Sequence, residues 1–285
     1  MISGITLASS AATYLSICAI YRNEAPYLQE WIEFHRLVGA ERFFLYDNGS
    51  SDDHDAVLAP YVAEGVAVVH RWPDHPGQQS AYDHCLAEHG GESRWIAFLD
   101  LDEFLFSPHH RPASELLPQY EQWAAVGVNR ATYGTSGHKQ KPDGLVIESY
   151  VMKWPGAASI KSIVDPSRTV HCLNPHAFAY RDGDFAVDEH QRPIEGWFTT
   201  EFTLDHLRIN HYYTRSEAEF RDKLGHVRAD NAKLREQPAN WARTVGRERD
   251  GSITAYGPAL REAIAARSML AHVVRRSDGP TGRMT

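Results

Sequence analysis

Arg94-Trp-Ile-Ala-Phe-Leu-Asp-Leu-Asp-Glu-Phe-Leu-Phe106 is an apolar run interrupted by three acids and then resumed. Its first half, Trp95 to Leu99, has the length and composition of a buried strand. Asp100 and Asp102 stand two residues apart, so an extended backbone turns both carboxylates to one side and sends Leu101 to the other. Ionised carboxylates at the end of a buried strand are costly unless a cation or hydrogen-bond donors compensate them. Oxygen ligands with no cysteine beside them suit Mg²⁺ or Mn²⁺ and leave positions open for phosphate oxygens. A strand that ends in a solvated acidic turn gives the same short pattern. Position separates the two readings, because open α/β sheets bind ligands beyond the carboxyl ends of their strands.

Upstream, the same arrangement repeats. Tyr14 to Tyr21 reads as a first strand, followed by Arg22-Asn-Glu-Ala-Pro26, where Asn23 is placed to cap a helix and Pro26 suits its first turn. Tyr27, Trp31, Phe34 and Val38 recur at helical spacing up to Gly39. Arg42 to Tyr46 is a second strand ending in the polar turn Asp47 to Asp52. A helix over Asp55 to Ala63 and a strand over Val66 to Trp72 follow, then Asp74 to Gln79 leads into a helix that runs to His89. Strand and helix thus alternate at roughly thirty-residue spacing, the pattern of βαβ units. The fold class is α/β, a Rossmann-like, mostly parallel sheet flanked by helices. Its ligand edge gathers Arg22 to Glu24, Asp47 to Asp52, Asp74 to Gln79 and Asp100 to Glu103.

Beyond a helix at Ala113 to Ala124 the alternation stops. Val126 to Tyr133, Leu145 to Lys153, Ile160 to Val164, Thr169 to Leu173 and Leu204 to Tyr213 read as strands, and Arg181 to Thr200 as a mobile loop. Ser216 and Glu219 form a capping box for a helix reaching Gly225. The remainder, 229–285, is expected to be a helical extension packed on the main domain of 13–228, with Ile264, Met269, Leu270 and Val273 buried and 277–285 frayed.

With 285 residues, 42% of them apolar and 23% charged, the chain has the composition of a globular protein able to bury a full core. A net charge of −8 argues against a general nucleic-acid binder. Cys18, Cys85 and Cys172 match neither a disulfide framework nor a zinc motif, and a reduced, cytoplasmic setting fits them. The N-terminus merges into the first strand and is not read as a signal peptide. No stretch approaches the roughly 20 apolar residues of a membrane span, so any membrane contact is expected to be peripheral.

Haloacid-dehalogenase-type phosphatases also carry Asp-x-Asp after an apolar strand. Theirs is the first strand, usually with Thr two residues after the second Asp, where Phe104 stands here. Neither a P-loop nor a Gly-x-Gly-x-x-Gly turn accompanies the early strands. What remains is a nucleotide-diphosphate site with a cation on Asp102. In this order, Ala19-Ile-Tyr-Arg-Asn-Glu24, Glu30-Trp31, His35, Phe44 to Asp52, Gln79, His84-Cys85, Trp95 to Phe104, Tyr133 to His138, Lys161 to Val164, His176 and Asn210 to Ser216 with Phe220 and Lys223 resemble glycosyltransferase family 92 and its family-2-like relatives of GT-A fold.

The resemblance implies a metal-dependent, inverting glycosyltransferase that moves a sugar from a nucleotide-sugar, by family habit a UDP-sugar, to a glycan or polysaccharide acceptor. It implies Mn²⁺ or Mg²⁺ on Asp100, Asp102 and His211, and a donor site formed by Tyr21, Arg22, Asn23, Glu24, Asp47, Asn48, Gln79, Asp100 and Lys223. His176 competes with His211, and Arg215 is a further candidate for the diphosphate. An inverting mechanism needs a general base for the acceptor hydroxyl, and Glu201 or Asp205 is the expected one, with Asp165 and Glu195 in the same region. Two rivals stay open: a nucleotidyltransferase that makes the activated sugar, and a non-catalytic nucleotide- or glycan-binding module.

Overall fold

A computed structural model describes residues 12–155, 159–238, 240–244 and 246–277. The expected α/β alternation is present: β1 Thr13–Tyr21, α1 Ala25–Leu37, β2 Arg42–Asp47, α2 His54–Ala63, β3 Ala67–Arg71, α3 Gln78–His89 and β4 Ser93–Phe98. After β4 come β5 Glu103–Phe106, α4 Ala113–Leu116, β6 Ala125–Thr132, α5 Val146–Ser149, β7 Met152–Lys153 and β8 Ile160–Val164. The chain continues through β9 Thr169–Asn174, β10 Ala177–Tyr180, β11 Ala186–Val187, β12 Arg208–His211, α6 Glu217–Leu224, β13 Glu248–Arg249 and α7 Gly257–Ser277.

The main sheet has nine strands in the order β3-β2-β1-β4-β8-β6-β12-β5, with β11 added on β6. The first four are parallel, and β8 is the antiparallel strand that joins β4 to β6. Register brings Tyr21 beside Asp47 and Asp47 beside Arg71, so the carboxyl ends of β1, β2 and β3 share one edge.

Because both faces are covered, β1 is buried over nearly its whole length, and successive residues feed opposite layers. Leu15, Ile17 and Ala19 enter the core with Trp31 and Phe34 of α1 and Leu58 of α2, whereas Cys18 and Ile20 meet Tyr82 and Cys85 of α3. Trp95 and Ala97 of β4 join the first layer, and Ile96 and Phe98 the second. α7 closes the first layer over α1. There Arg267, 7% exposed, pairs with Glu33 at 3.0 Å and with Glu64, and lies 4.4 Å from the Tyr61 ring centroid.

Several sequence expectations are corrected. Asp100 to Asp102 form a turn between β4 and β5, not an extended segment. Asn23 does not cap α1: its φ is 56°, and the helix's first amide, that of Ala25, donates to Asp52 Oδ2 at 2.8 Å. The expected strand from Leu145 to Lys153 opens as α5, because the buried Glu30 carboxylate accepts the amides of Val146 and Ile147 and fixes a helical turn there. The helix after Ala113 ends at Leu116 and continues as a 3₁₀ turn to Tyr120.

Arg181 to Thr200 contains β11 and a bridge between Val187 and Pro193 in place of a structureless loop. Within 229–256 the described residues form turns, short 3₁₀ segments and β13, which pairs with β7, so the C-terminal helix proper is α7. Met269 is 70% exposed, while Ile264 packs on the core. The side chains of Leu270 and Val273, and residues 278–285, lie outside the described part. No helix among the described residues is long and apolar enough to cross a membrane.

Candidate active site

The carboxyl edge of the sheet opens into a cavity of about 960 Å³. β1 delivers Tyr21, Arg22, Asn23 and Glu24 to it, the β2 exit delivers Asn48, and the β4–β5 turn delivers Asp100, Leu101 and Asp102. From the far side come Arg130 and Thr132 at the end of β6, His211 at the end of β12, and Lys223 on α6. Val227 to Asp230 also line the cavity, and the Ala229 carbonyl accepts the amides of Gly77 and Gln78 at the start of α3 at 2.9 and 3.1 Å.

Two carboxylates dominate the floor, each with its own cation. Asp102 accepts from Lys223 Nζ at 2.6 Å on Oδ2 and has His211 Nε2 at 3.5 Å from Oδ1. Burial would raise its pKa, but Lys223 and His211 outweigh burial and hold the carboxyl well below the usual range. Asp100 Oδ1 takes Gln78 Nε2 at 2.7 Å and lies 3.0 Å from Lys161 Nζ. Burial again works upward, and Lys161 wins, leaving the carboxyl below its ordinary value. The cation that the buried acids require is therefore already supplied by the protein.

Beneath the turn, Glu103 is fully buried and organises the rest. One of its oxygens accepts the Asp100 amide at 2.9 Å, the other accepts Arg130 Nη1 at 2.6 Å, and Lys161 Nζ is 3.6 Å away. Its carbonyl accepts Trp31 Nε1 at 2.8 Å. Across the cavity, Arg215 pairs with Glu24 at 2.8 Å and sits 3.6 Å from the Tyr27 ring centroid. Arg215 and Asn23 both adopt left-handed backbone, with φ of 48° and 56°, a strain that clusters at ligand sites.

Asp102 and His211 offer one oxygen and one nitrogen on the same wall. That pair fits a hard divalent ion of the Mn²⁺ or Mg²⁺ kind, which commonly binds through few protein ligands plus substrate phosphates. Asp100, engaged by Gln78 and Lys161, stands apart from the pair.

A sequence model of glycosyltransferase family 92 matches residues 13–229, the span that forms this sheet and cavity. The chain belongs to glycosyltransferase family 92. A family 92 protein of Arabidopsis thaliana is 33% identical over 59% of this chain and 32% of its own length. One of Oryza sativa subsp. japonica is 29% identical over 74% of this chain and 35% of its own. The chain thus spans about a third of the length of these curated relatives. Among solved structures, S. aureus TarS 1-349 aligns with a TM-score of 0.39 at 12% identity, over 54% of this chain and 48% of that one.

In this family 92 chain, Tyr21, Arg22, Asn23, Glu24, Asn48, Asp100, Asp102, His211 and Lys223 all line the one cavity. Asp47 lies just outside the lining, where its Oδ1 accepts the Ser50 amide at 2.8 Å. Gln79 points away and donates to the Leu173 carbonyl, while its neighbour Gln78 reaches Asp100. Glu201 pairs with Arg192, and Asp205 with His190 at 3.0 Å; neither lines the cavity. His176 does line it, and its Nδ1 is 2.9 Å from the Ile160 carbonyl. Burial, with Lys161 nearby, lowers its pKa to about 3. Sequence reasoning placed Gln78 only within the Asp74 to Gln79 edge, without a role, and missed Arg130. For Arg130 a signal existed, a cation in a strand that opens with the small and apolar run Ala125 to Val128, since a cation in a buried strand calls for an acid to pair with.

Proposed function

We propose that the cavity binds a nucleotide-sugar whose sugar is transferred with inversion to a glycan or polysaccharide acceptor, with Asp102 and His211 holding Mn²⁺ or Mg²⁺. A UDP-sugar is the donor class we favour. The observation that carries this reading is Asp102 at the carboxyl edge of a largely parallel sheet, with His211 and Lys223 converging on its two oxygens. When bound, a divalent ion neutralises the charge that develops on the departing nucleoside diphosphate.

The chain's own groups supply the rest. Lys223 has the diphosphate as an alternative partner to Asp102. Tyr21 to Glu24 and Asn48 form the wall suited to the nucleoside, and Asn48 is held in place by donating to the carbonyls of Trp72 and Asp74 at 2.6 and 2.9 Å. Asp100, fixed by Gln78, fits a hydroxyl-binding role better than a metal-binding one. Glu219 and Asp222, unlike Glu201 and Asp205, are carboxylates of the cavity lining.

A thermal-shift screen of nucleotide-sugars with and without Mn²⁺ tests the reading. One donor class should raise the melting temperature, and Mn²⁺ should enlarge the rise. If no nucleotide-sugar shifts the transition, the reading fails. Release of pyrophosphate from a nucleoside triphosphate would point to a nucleotidyltransferase instead.

A further inference from the structure

A second group of metal-binding side chains lies at the other end of the β5/β12 pair. These strands are antiparallel, with His211 opposite Glu103 at the cavity end and Arg208 opposite Phe106 at the far end. His206 lies two residues before β12 begins. There His190 Nε2 lies 3.0 Å from Asp205 Oδ2. One ligand atom from each of Glu189, His190 and Asp205 falls within 4.8 Å of the others. The His190 ring stands 5.1 Å from that of His206, which stands 6.2 Å from that of His109.

Two buried carboxylates hold the backbone that presents these groups. Asp188, 1% exposed, accepts the amides of His190 and Arg192, both at 2.9 Å. Glu189, 4% exposed, accepts the amides of Asp205, His206 and Leu207 at 2.9, 2.5 and 2.8 Å, which leaves lone-pair capacity on Oε1. Tyr120 donates to the Glu189 carbonyl at 2.7 Å. Burying carboxylates is costly, and the outcome here is that His190, Asp205 and His206 project from fixed positions while the His190 and Asp205 side chains reach solvent. A ligand set held this way by its supporting shell is what a metal site requires.

We propose that Glu189, His190 and Asp205 form a divalent-metal site of Zn²⁺ type, separate from the donor cavity. Mixed imidazole and carboxylate ligands select Zn²⁺ or Ni²⁺ over Mg²⁺. A bound ion ties the hairpin after β11 to the segment entering β12. The site does not depend on the glycosyltransferase reading. His70 and His89, whose Nε2 atoms are 2.8 Å apart, form a separate cluster with His84 and Glu92 beside them and provide a control.

The test is calorimetric titration of chelator-stripped, full-length Asp102→Asn protein with ZnCl₂ and with MgCl₂, the substitution removing the donor-site carboxylate. One equivalent of Zn²⁺ should bind at least tenfold more tightly than Mg²⁺. His190→Ala in the same background should weaken Zn²⁺ binding at least tenfold, as should Asp205→Asn, a second variant at an exposed side chain, and His70→Ala should leave it unchanged. Co²⁺ added in place of Zn²⁺ should give a visible ligand-field spectrum that His190→Ala abolishes. No saturable Zn²⁺ binding, binding that survives both His190→Ala and Asp205→Asn, or binding removed by His70→Ala would overturn the proposal.

Discussion

Glu30 shows how much one buried side chain can decide. Burial pushes its carboxyl up to about 7, even though the amides of Val146 and Ile147 donate to it and pull the other way. In the unfolded chain it titrates at its ordinary 4.5, so the folded protein binds the extra proton between the two values. The associated stability is complete below about 4.5 and is lost as pH rises through about 7. Glu30→Gln removes this dependence: between pH 4.5 and 8 its unfolding free energy should gain on the wild type by about 3 kcal/mol, measured by urea titration. Glu103 is the harsher case. Replacing it with Gln leaves Arg130 and Lys161 buried with less compensation, and the expected loss is about 3–5 kcal/mol, read from the same titrations. Asp100 and Asp102 were legible as residues because acids after an apolar run are expensive. Their partners Lys161 and Lys223 were legible only as members of a resemblance, since a salt bridge across some sixty or a hundred and twenty positions leaves no local pattern.

At the level of elements, caps separate what local chemistry writes from what tertiary contact adds. The box of Ser216 and Glu219 is written within four residues and forms as expected, with the Ser216 hydroxyl accepting the Glu219 amide and the Glu219 carboxylate accepting the Ser216 amide. Ser216→Ala should cost about 1 kcal/mol by thermal or urea denaturation. α1 has no such local device, and its first amide is met by Asp52 from the loop after β2, so Asp52→Ala should destabilise by a similar amount. The segment from Leu145 to Lys153 misled for the same reason: it reads as a strand, and the carboxylate that turns its first part into α5 belongs to α1. Gln79 came from the family resemblance, and α3 starts without a side-chain cap that would fix its phase. One residue on a helix turns the side chain by about 100°, enough to exchange the cavity for the Leu173 carbonyl.

For the whole molecule, the parallel half of the sheet was readable from the alternation of strands and helices, since a βαβ unit is local in sequence. The second half was not, because β8, β6, β12 and β5 pair through long connections in mixed directions. Yet it is this second half that brings His211 and Arg130 to face the turn after β4. The cavity depends on both halves, joined where β8 meets β4, and the central claim is that it serves a metal-assisted sugar transfer centred on Asp102. The most direct measurement is nucleoside diphosphate release from UDP-sugars by wild type and Asp102→Asn, with Mn²⁺ and after chelation, in the presence of glycan acceptors. The account predicts wild-type release that falls at least a hundredfold, by about 3 kcal/mol in the barrier, on either chelation or substitution. Full turnover by Asp102→Asn with Mn²⁺ would contradict it.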